Sequence, residues 1–336
     1  MKRAFAVVAV TSALLGCGSG GTESDQGGGS VDEELQDEAP QVIEPSIGVG
    51  REPTSLSISG ESVWVANSLD GTVSQLDLSS GIPIGSPIPV GEGPEHVASD
   101  ETYVWVSLAN NPDTSNDDQT AVISTSGREF HGDGVITVDS SGDLVAAEGL
   151  AWATDLGTAG QVTAMDGADS VGSTISIGGG PNGIAIANGV VWVTIVQPGE
   201  SGEPGAVARF DSSTREPIGS PTTVGVRPNA IAANDEAVWV ANSADNTVMP
   251  LDPETGEVAG PPVEVGEEPS ALALSEGVLW VVNTLSDEVM RLDAATGESL
   301  GDPIVVPEGP VDIAIGGGFA WIASISDNSV TRVGPA

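Results

Sequence analysis

The stretch VWVANSADNTVMPLDPETGEVAGPPVEVGEEPSALAL, running from Val238 to Leu274, holds a unit that recurs along most of the chain. Its tryptophan, Trp239, has six counterparts: Trp64, Trp105, Trp152, Trp192, Trp280 and Trp321. Successive tryptophans stand 41, 47, 40, 47, 41 and 41 residues apart. A period near 40 points to a repeat architecture before anything else. A second marker fixes the phase. Eleven residues before the tryptophan stands Pro53, Pro94, Pro181, Pro228, Pro269 or Pro310, with Ser141 in that place in the third copy. Two unrelated markers in one register give seven repeats.

Each repeat reads as four short strands. Alternating apolar residues follow the proline, as in Leu56 and Ile58 or Ile313 and Ile315 (strand a), and the tryptophan run follows (strand b). A turn such as Asp70-Gly71 or Asp245-Asn246 leads into a third run, Thr247–Leu251 (strand c). The turn Asp252–Gly256 then leads to Pro262–Val265 (strand d), or in the first copy Ile84–Val90. Period-2 alternation and turn dipeptides at close spacing argue for an all-β chain. Four strands per unit of about 40 residues is a propeller blade. The fold class expected is therefore an all-β, seven-bladed β-propeller of four-stranded blades. The last repeat stops after its third strand, Ser329–Val333, and Ile43–Val49 resembles a strand d that has no blade of its own. That N-terminal strand is expected to complete the C-terminal blade, which leaves no open edge.

Ahead of the repeats, Lys2 and Arg3 precede the apolar run Ala4–Leu15. That run is too short to span a bilayer and has the form of an export signal. It ends in Leu14-Leu15-Gly16-Cys17, which resembles the lipobox of bacterial lipoproteins. The resemblance implies lipidation of Cys17, so that the protein is exported and held at the extracytoplasmic face of the cell envelope. Residues 18–41 are rich in Gly, Ser and acidic residues and form a linker unable to bury a core. The domain plan is a signal peptide at 1–17, a disordered linker at 18–41 and a propeller at 42–336.

The formal net charge is −40, with 49 acidic and nine basic residues. So acidic a chain excludes nucleic acid as a partner, because that affinity rests on Lys and Arg neutralising phosphates. Two insertions account for both 47-residue spacings: Ala109–Gln119 in the second repeat and Gln197–Gly205 in the fourth, each between strands b and c. In a propeller these loops share a face with the proline turns, and long loops on a rigid scaffold are where binding concentrates.

The Val238–Leu274 unit resembles the YVTN/YncE-type propeller repeat, with VWVAN, NTV, LD, TG and VG..P in the family's order. The resemblance covers about residues 43–333 and implies an exported binding or scaffold protein with no established reaction. A more distant rhythm is that of the streptogramin B lyases, which use paired histidines with Glu and Mg²⁺ near the channel mouth. This chain has only His96 and His131, the first at the start of a strand a and the second near an outer strand. They do not match that constellation. No Ser-His-Asp set, zinc spacing, P-loop or dinucleotide fingerprint occurs in the sequence.

Repeat phase alone nominates Arg51, Glu95, His96, Asp143, Asn182, Arg227, Asn229 and Asp312 for the channel mouth. His96 beside Glu95, with Asp143 in the next blade, has the chemistry of a cation site or a base. The ordinary role of such residues is to hydrogen-bond a turn or a strand end. Asn110, Asp113, Asn116, Asp117 and Asp118 in the first insertion offer the oxygen ligands that Ca²⁺ or Mg²⁺ takes, at a spacing unlike an EF-hand. The functional expectation is a lipid-anchored, non-catalytic module that binds a protein, peptide or glycan on its loop-bearing face. The alternative is an envelope lyase or lactonase with a divalent cation at the channel mouth.

Overall fold

The computed structural model describes residues 40–335, apart from 110–118, 129, 138–140, 148–149, 156–159, 167–169 and 197–201. Cys17, residues 18–39 of the linker and the candidate ligands Asn110, Asp113, Asn116, Asp117 and Asp118 lie outside the described residues. So does Gln197–Ser201 of the second insertion. Gln41, the linker's expected last residue, already belongs to a strand. The described chain forms seven four-stranded antiparallel sheets. Six run a-b-c-d in sequence order, one per repeat, and the seven together make the propeller. Among the described residues there is no α-helix, and only two short 3₁₀ turns interrupt the strands, Ser68–Asp70 and Thr284–Ser286. No helix there is long and apolar enough to cross a membrane.

The seventh sheet holds the closure. Its strands a, b and c are Pro310–Gly316, Phe319–Ser324 and Ser329–Gly334, and its outer strand is Gln41–Gly48 from the other end of the chain. Gln41 pairs with Gly334 and Gly48 with Ser329. The register shifts between Ile43 and Ile47, where Pro45 has no N–H to give the ladder.

Each tryptophan is at most 2% exposed. Trp64 of blade 1 packs among Val97, Val104 and Val106 of blade 2, and Trp321 of blade 7 among Leu56, Val63 and Val65 of blade 1. The same step is repeated round the ring, so every tryptophan is the wedge between one blade and the next. This explains the constant phase of the tryptophan, which serves blade-to-blade packing.

The outer strands are shorter than expected. Strand d is Ile88–Pro89 in blade 1, Val263–Glu264 in blade 5 and Ile304–Val305 in blade 6. Prolines in these segments (Pro83, Pro87, Pro89, Pro261, Pro262) remove ladder donors and confine pairing to two residues. Blades 2 and 3 lack such prolines, and their outer strands are full length, Phe130–Thr137 and Ser170–Ser176.

Every strand a carries a register shift just after the proline position. In blade 1 the pairing jumps from Pro53–Asn67 to Ser55–Ala66, and in blade 7 from Pro310–Ser324 to Asp312–Ala323. In blade 3, Ser141 takes the proline's place and the shift remains. A bulge of this kind frees the amides beside it and re-aims a side chain. Here it sets the residue two places after the proline, the position that the sequence assigns to the channel.

Candidate functional site

The bulge position supplies Ser55, His96, Asp143, Gly183, Ala230, Ala271 and Asp312 to the innermost strands, one per blade. The four polar members come from consecutive blades 7, 1, 2 and 3. Asp312 Oδ2 accepts the amide of Leu56 in the next blade at 2.7 Å, and its Oδ1 accepts the amide of Ile313 at 2.8 Å. Ser55 Oγ accepts the amide of Val97, again in the next blade, at 3.2 Å. Asp143 accepts Leu144 N–H at 2.8 Å and Ile184 N–H of blade 4 at 3.1 Å. These side chains therefore staple neighbouring blades through the amides that the bulge exposes. His96 departs from the pattern: its Nδ1 lies 3.5 Å from Asp143 Oδ1, an ion pair whenever the imidazole is protonated.

The opposite wall is bare. A Cβ at Gly183 would lie 2.7 Å from the carbonyl oxygen of Asn229 and 3.0 Å from Ala230 Cα, so the next blade's backbone occupies the side chain's place. Ala230 and Ala271 continue this wall with a methyl each.

Electrostatics separates the inner ring from the rest of the molecule. Burial in the channel wall pushes the Asp312 carboxyl up to about 6, the amides of Leu56 and Ile313 oppose the rise, and the charge of Asp143 adds to it. Burial raises Asp143 as well, against the pull of His96 and its two amides. Asp143 keeps 32% of its side chain open to solvent, so burial here is enclosure by the wall rather than removal from water.

The remaining nominated residues sit differently. Arg51 is tied within blade 1, its Nε donating to Asp70 Oδ1 at 2.6 Å and its amide to Oδ2 at 2.8 Å. Arg227 is exposed at a left-handed corner, φ 53°. Asn182 accepts Thr154 Oγ1–H through its carbonyl at 2.7 Å. Asn229 has its Oδ1 buried without a partner. Glu95 is half-buried on strand a of blade 2. His131 falls on the outermost strand of the sheet whose innermost strand carries His96. No group of three or more His, Cys, Asp or Glu placed to hold a metal occurs among the described residues.

Sequence reasoning missed a second set of clips on the loop-bearing face. Asn328 Oδ1 of blade 7 accepts the amide of Glu52, Asn246 Oδ1 of blade 5 that of Glu268, and Asp287 Oδ1 of blade 6 that of Gly309. Acceptor and donor residues alike have positive φ, from 52° to 70°. A non-glycine residue there is strained and persists only where its surroundings hold it. The available signal was the Asn or Asp four residues after the end of strand b in blades 5, 6 and 7, whose side-chain acceptor suits a left-handed corner.

Comparison with known proteins bears on the fold. No protein-family profile matches the chain, and no curated protein sequence matches it. Among solved structures, Kuenenia stuttgartiensis hydrazine synthase superposes with a TM-score of 0.72 at 14% identity, over 88% of this chain and 97% of that one. Streptogramin B lyase gives 0.67 at 15% identity over 89% and 97%. The computationally designed Ika8 protein gives 0.62 at 13% over 87% and 98%. At such identities the likeness is one of fold: the chain is a β-propeller whose structural neighbours include enzymes, and function lives in sites rather than in the fold.

Proposed function

We propose that this chain is an exported propeller of the YVTN/YncE type, anchored at the cell envelope through lipidated Cys17, that binds a protein, peptide or glycan on its loop-bearing face without chemistry. One observation carries the non-catalytic part. Both oxygens of Asp143 and of Asp312 accept backbone amides, so the acids best placed for catalysis are engaged in holding blades together. The loop-bearing face, by contrast, has corners pinned by the Asn328, Asn246 and Asp287 clips and carries Leu69 and Leu285 at 54% and 64% exposure. Rigid, exposed loops on a closed scaffold suit recognition.

The anchoring is tested by detergent partitioning. Wild type should enter the detergent phase and Cys17→Ser the aqueous phase, and equal partitioning of the two would overturn it. Binding is tested by capture from envelope extracts with and without residues 110–118 and 197–201, and capture that ignores both deletions would overturn the assignment to this face.

A second reading, a lyase or lactonase using a divalent cation, draws on the His96–Asp143 approach and the raised Asp312 carboxyl. It requires that Ca²⁺, Mg²⁺ or Mn²⁺ raise the thermal midpoint of the wild type and not of Asp143→Asn. The absence of any such shift would eliminate it.

A further inference from the structure

Resting on the loop-face reading, a narrower inference comes from the cleft between blades 1 and 2. This groove of about 700 Å³ lies between the 3₁₀ turn Ser68–Asp70 and the loop Gly91–Gly93 that enters blade 2. Leu69, Pro89 and three glycines supply its apolar lining, beside the polar Glu52, Ser68, Asp70 and Glu92. At its floor the two backbones touch. Val90 donates to the Gly71 carbonyl at 3.0 Å, and any Cβ on Gly71 would collide with the Gly91 carbonyl oxygen. Glycine at Gly71 lets the two backbones approach this closely, and a side chain at Gly91 would press on Leu108.

The turn that presents Leu69 is fixed before any ligand arrives. Ser68 N–H donates to Glu52 O at 2.8 Å and Leu69 N–H to Arg51 O at 3.3 Å. Asp70 holds Arg51 from the other side. Glu52 is itself held at φ 52° by Asn328 of blade 7. A large aliphatic side chain is thus kept in solvent on a turn that cannot relax to hide it. Preorganisation of this kind lowers the ordering cost of binding.

The charges on the rim select the occupant. Glu52 and Glu92 line the groove, and Arg51, next to Glu52 in the chain, is paired with Asp70. The whole chain carries −40, so an acidic partner is repelled and a basic one is drawn in. We infer that this groove binds a basic, extended peptide segment of a partner protein. An aliphatic side chain of the peptide lies on Leu69 and Pro89, and a neighbouring Lys or Arg meets Glu52 and Glu92.

The test uses the full-length chain in neutral detergent and a fluorescein-labelled peptide of alternating leucine and arginine, with its leucine–glutamate counterpart as control. Anisotropy should show saturable binding of the basic peptide alone, weakened as salt rises through roughly 0.05 to 0.5 M. Leu69→Ser and the double variant Glu52→Gln/Glu92→Gln should each weaken binding about tenfold. The charge-matched double Glu236→Gln/Glu276→Gln, on the opposite face, should change it less than about twofold. Thermal midpoints establish that the variants are folded.

Equal weakening by the two double variants would mean diffuse attraction to an acidic protein and would overturn the proposal. So would equal binding of the acidic peptide, or a concentration-dependent dimer abolished by Leu69→Ser, which would make a second copy the occupant. Binding that is lost on deleting residues 110–118 but indifferent to the groove variants would keep the loop-face reading and sink the groove.

Discussion

Asp252 on the rim and Asp312 on the inner ring are held in nearly the same way, yet their carboxyls move in opposite directions. Asp252 accepts the amides of Glu254 and Thr255 at 3.0 and 2.7 Å, and its carboxyl titrates below the usual value, chiefly through Thr255. Its equivalents Asp77 and Asp211 fall to about 2, and Asp293 is lowered too. Asp312 also accepts two amides, at 2.7 and 2.8 Å, and rises to about 6. The difference lies in the surroundings. On the rim, water solvates the charge and the turn's Ser and Thr hydroxyls and amides tip the balance; in the channel wall, enclosure and the charge of Asp143 outweigh the amides. Hydrogen bonds alone do not set the sign of a shift.

The inner ring is most easily broken where it has no carboxylate. Gly183→Val sets a side chain against the Asn229 carbonyl and Ala230 Cα, both backbone. Urea denaturation should show a loss of about 3 kcal/mol, at the upper end for overpacking. A variant as stable as wild type would mean that the bare wall has slack.

The next effect is in pH. An unfolded aspartate titrates near 3.8, so the folded protein binds more protons than the unfolded chain between 3.8 and about 6. The inner ring's contribution is therefore full below 3.8 and is lost as pH rises through 6. The rim works the other way: its contribution is present above 3.8 and is lost as pH falls towards 2. Thermal midpoints should peak near pH 4. Asp312→Asn should flatten the decline from pH 4 to 7 by up to about 3 kcal/mol, less whatever the channel water screens. An unchanged slope in the variant would remove Asp312 as its source.

A smaller effect sharpens the electrostatic side. His96 lowers Asp143, so His96→Ala should move the Asp143 titration upward, as read by carboxyl ¹³C shifts. An unmoved titration would show that the 3.5 Å approach carries no charge. Smallest of all, Asp252→Ala removes one rim turn's acceptor and should lower the thermal midpoint by a few degrees at most. This loss should shrink as the pH falls below 3.8.

The architecture was legible because its markers are local and repeated. Tryptophan and proline in fixed phase gave the blades, and a strand d without a blade of its own gave the closure. The contracted outer strands were half legible, since their prolines were in plain view but their effect on pairing depends on which strand is at the edge. The inner ring's chemistry was not legible. Repeat phase put Asp143 and Asp312 at the channel. It took the closed ring to bring blades 3 and 7 near enough for one carboxylate to raise the other, and the bulge to direct their oxygens onto the next blade's amides. Arg51 illustrates the converse: its position suggested the mouth, and Asp70, nineteen residues on, claimed it.

The strand that completes blade 7 joins positions roughly 290 residues apart, and loop closure on that scale costs about 5 kcal/mol of chain entropy. Once made, it converts a row of blades into a hoop. In a row, the terminal members have one neighbour and fray first; in a hoop none is terminal, and Trp321 has Leu56 and Val63 to lean on. A single backbone cut in a rim turn leaves such a hoop whole, because the blades on either side of the cut still share their buried tryptophan contact. Removing Gln41–Gly48 costs only eight residues, yet it strips blade 7 of its outer strand and leaves Ser329–Gly334 as an open edge. The molecule is therefore tolerant of a cut in any one blade and intolerant of losing its clasp.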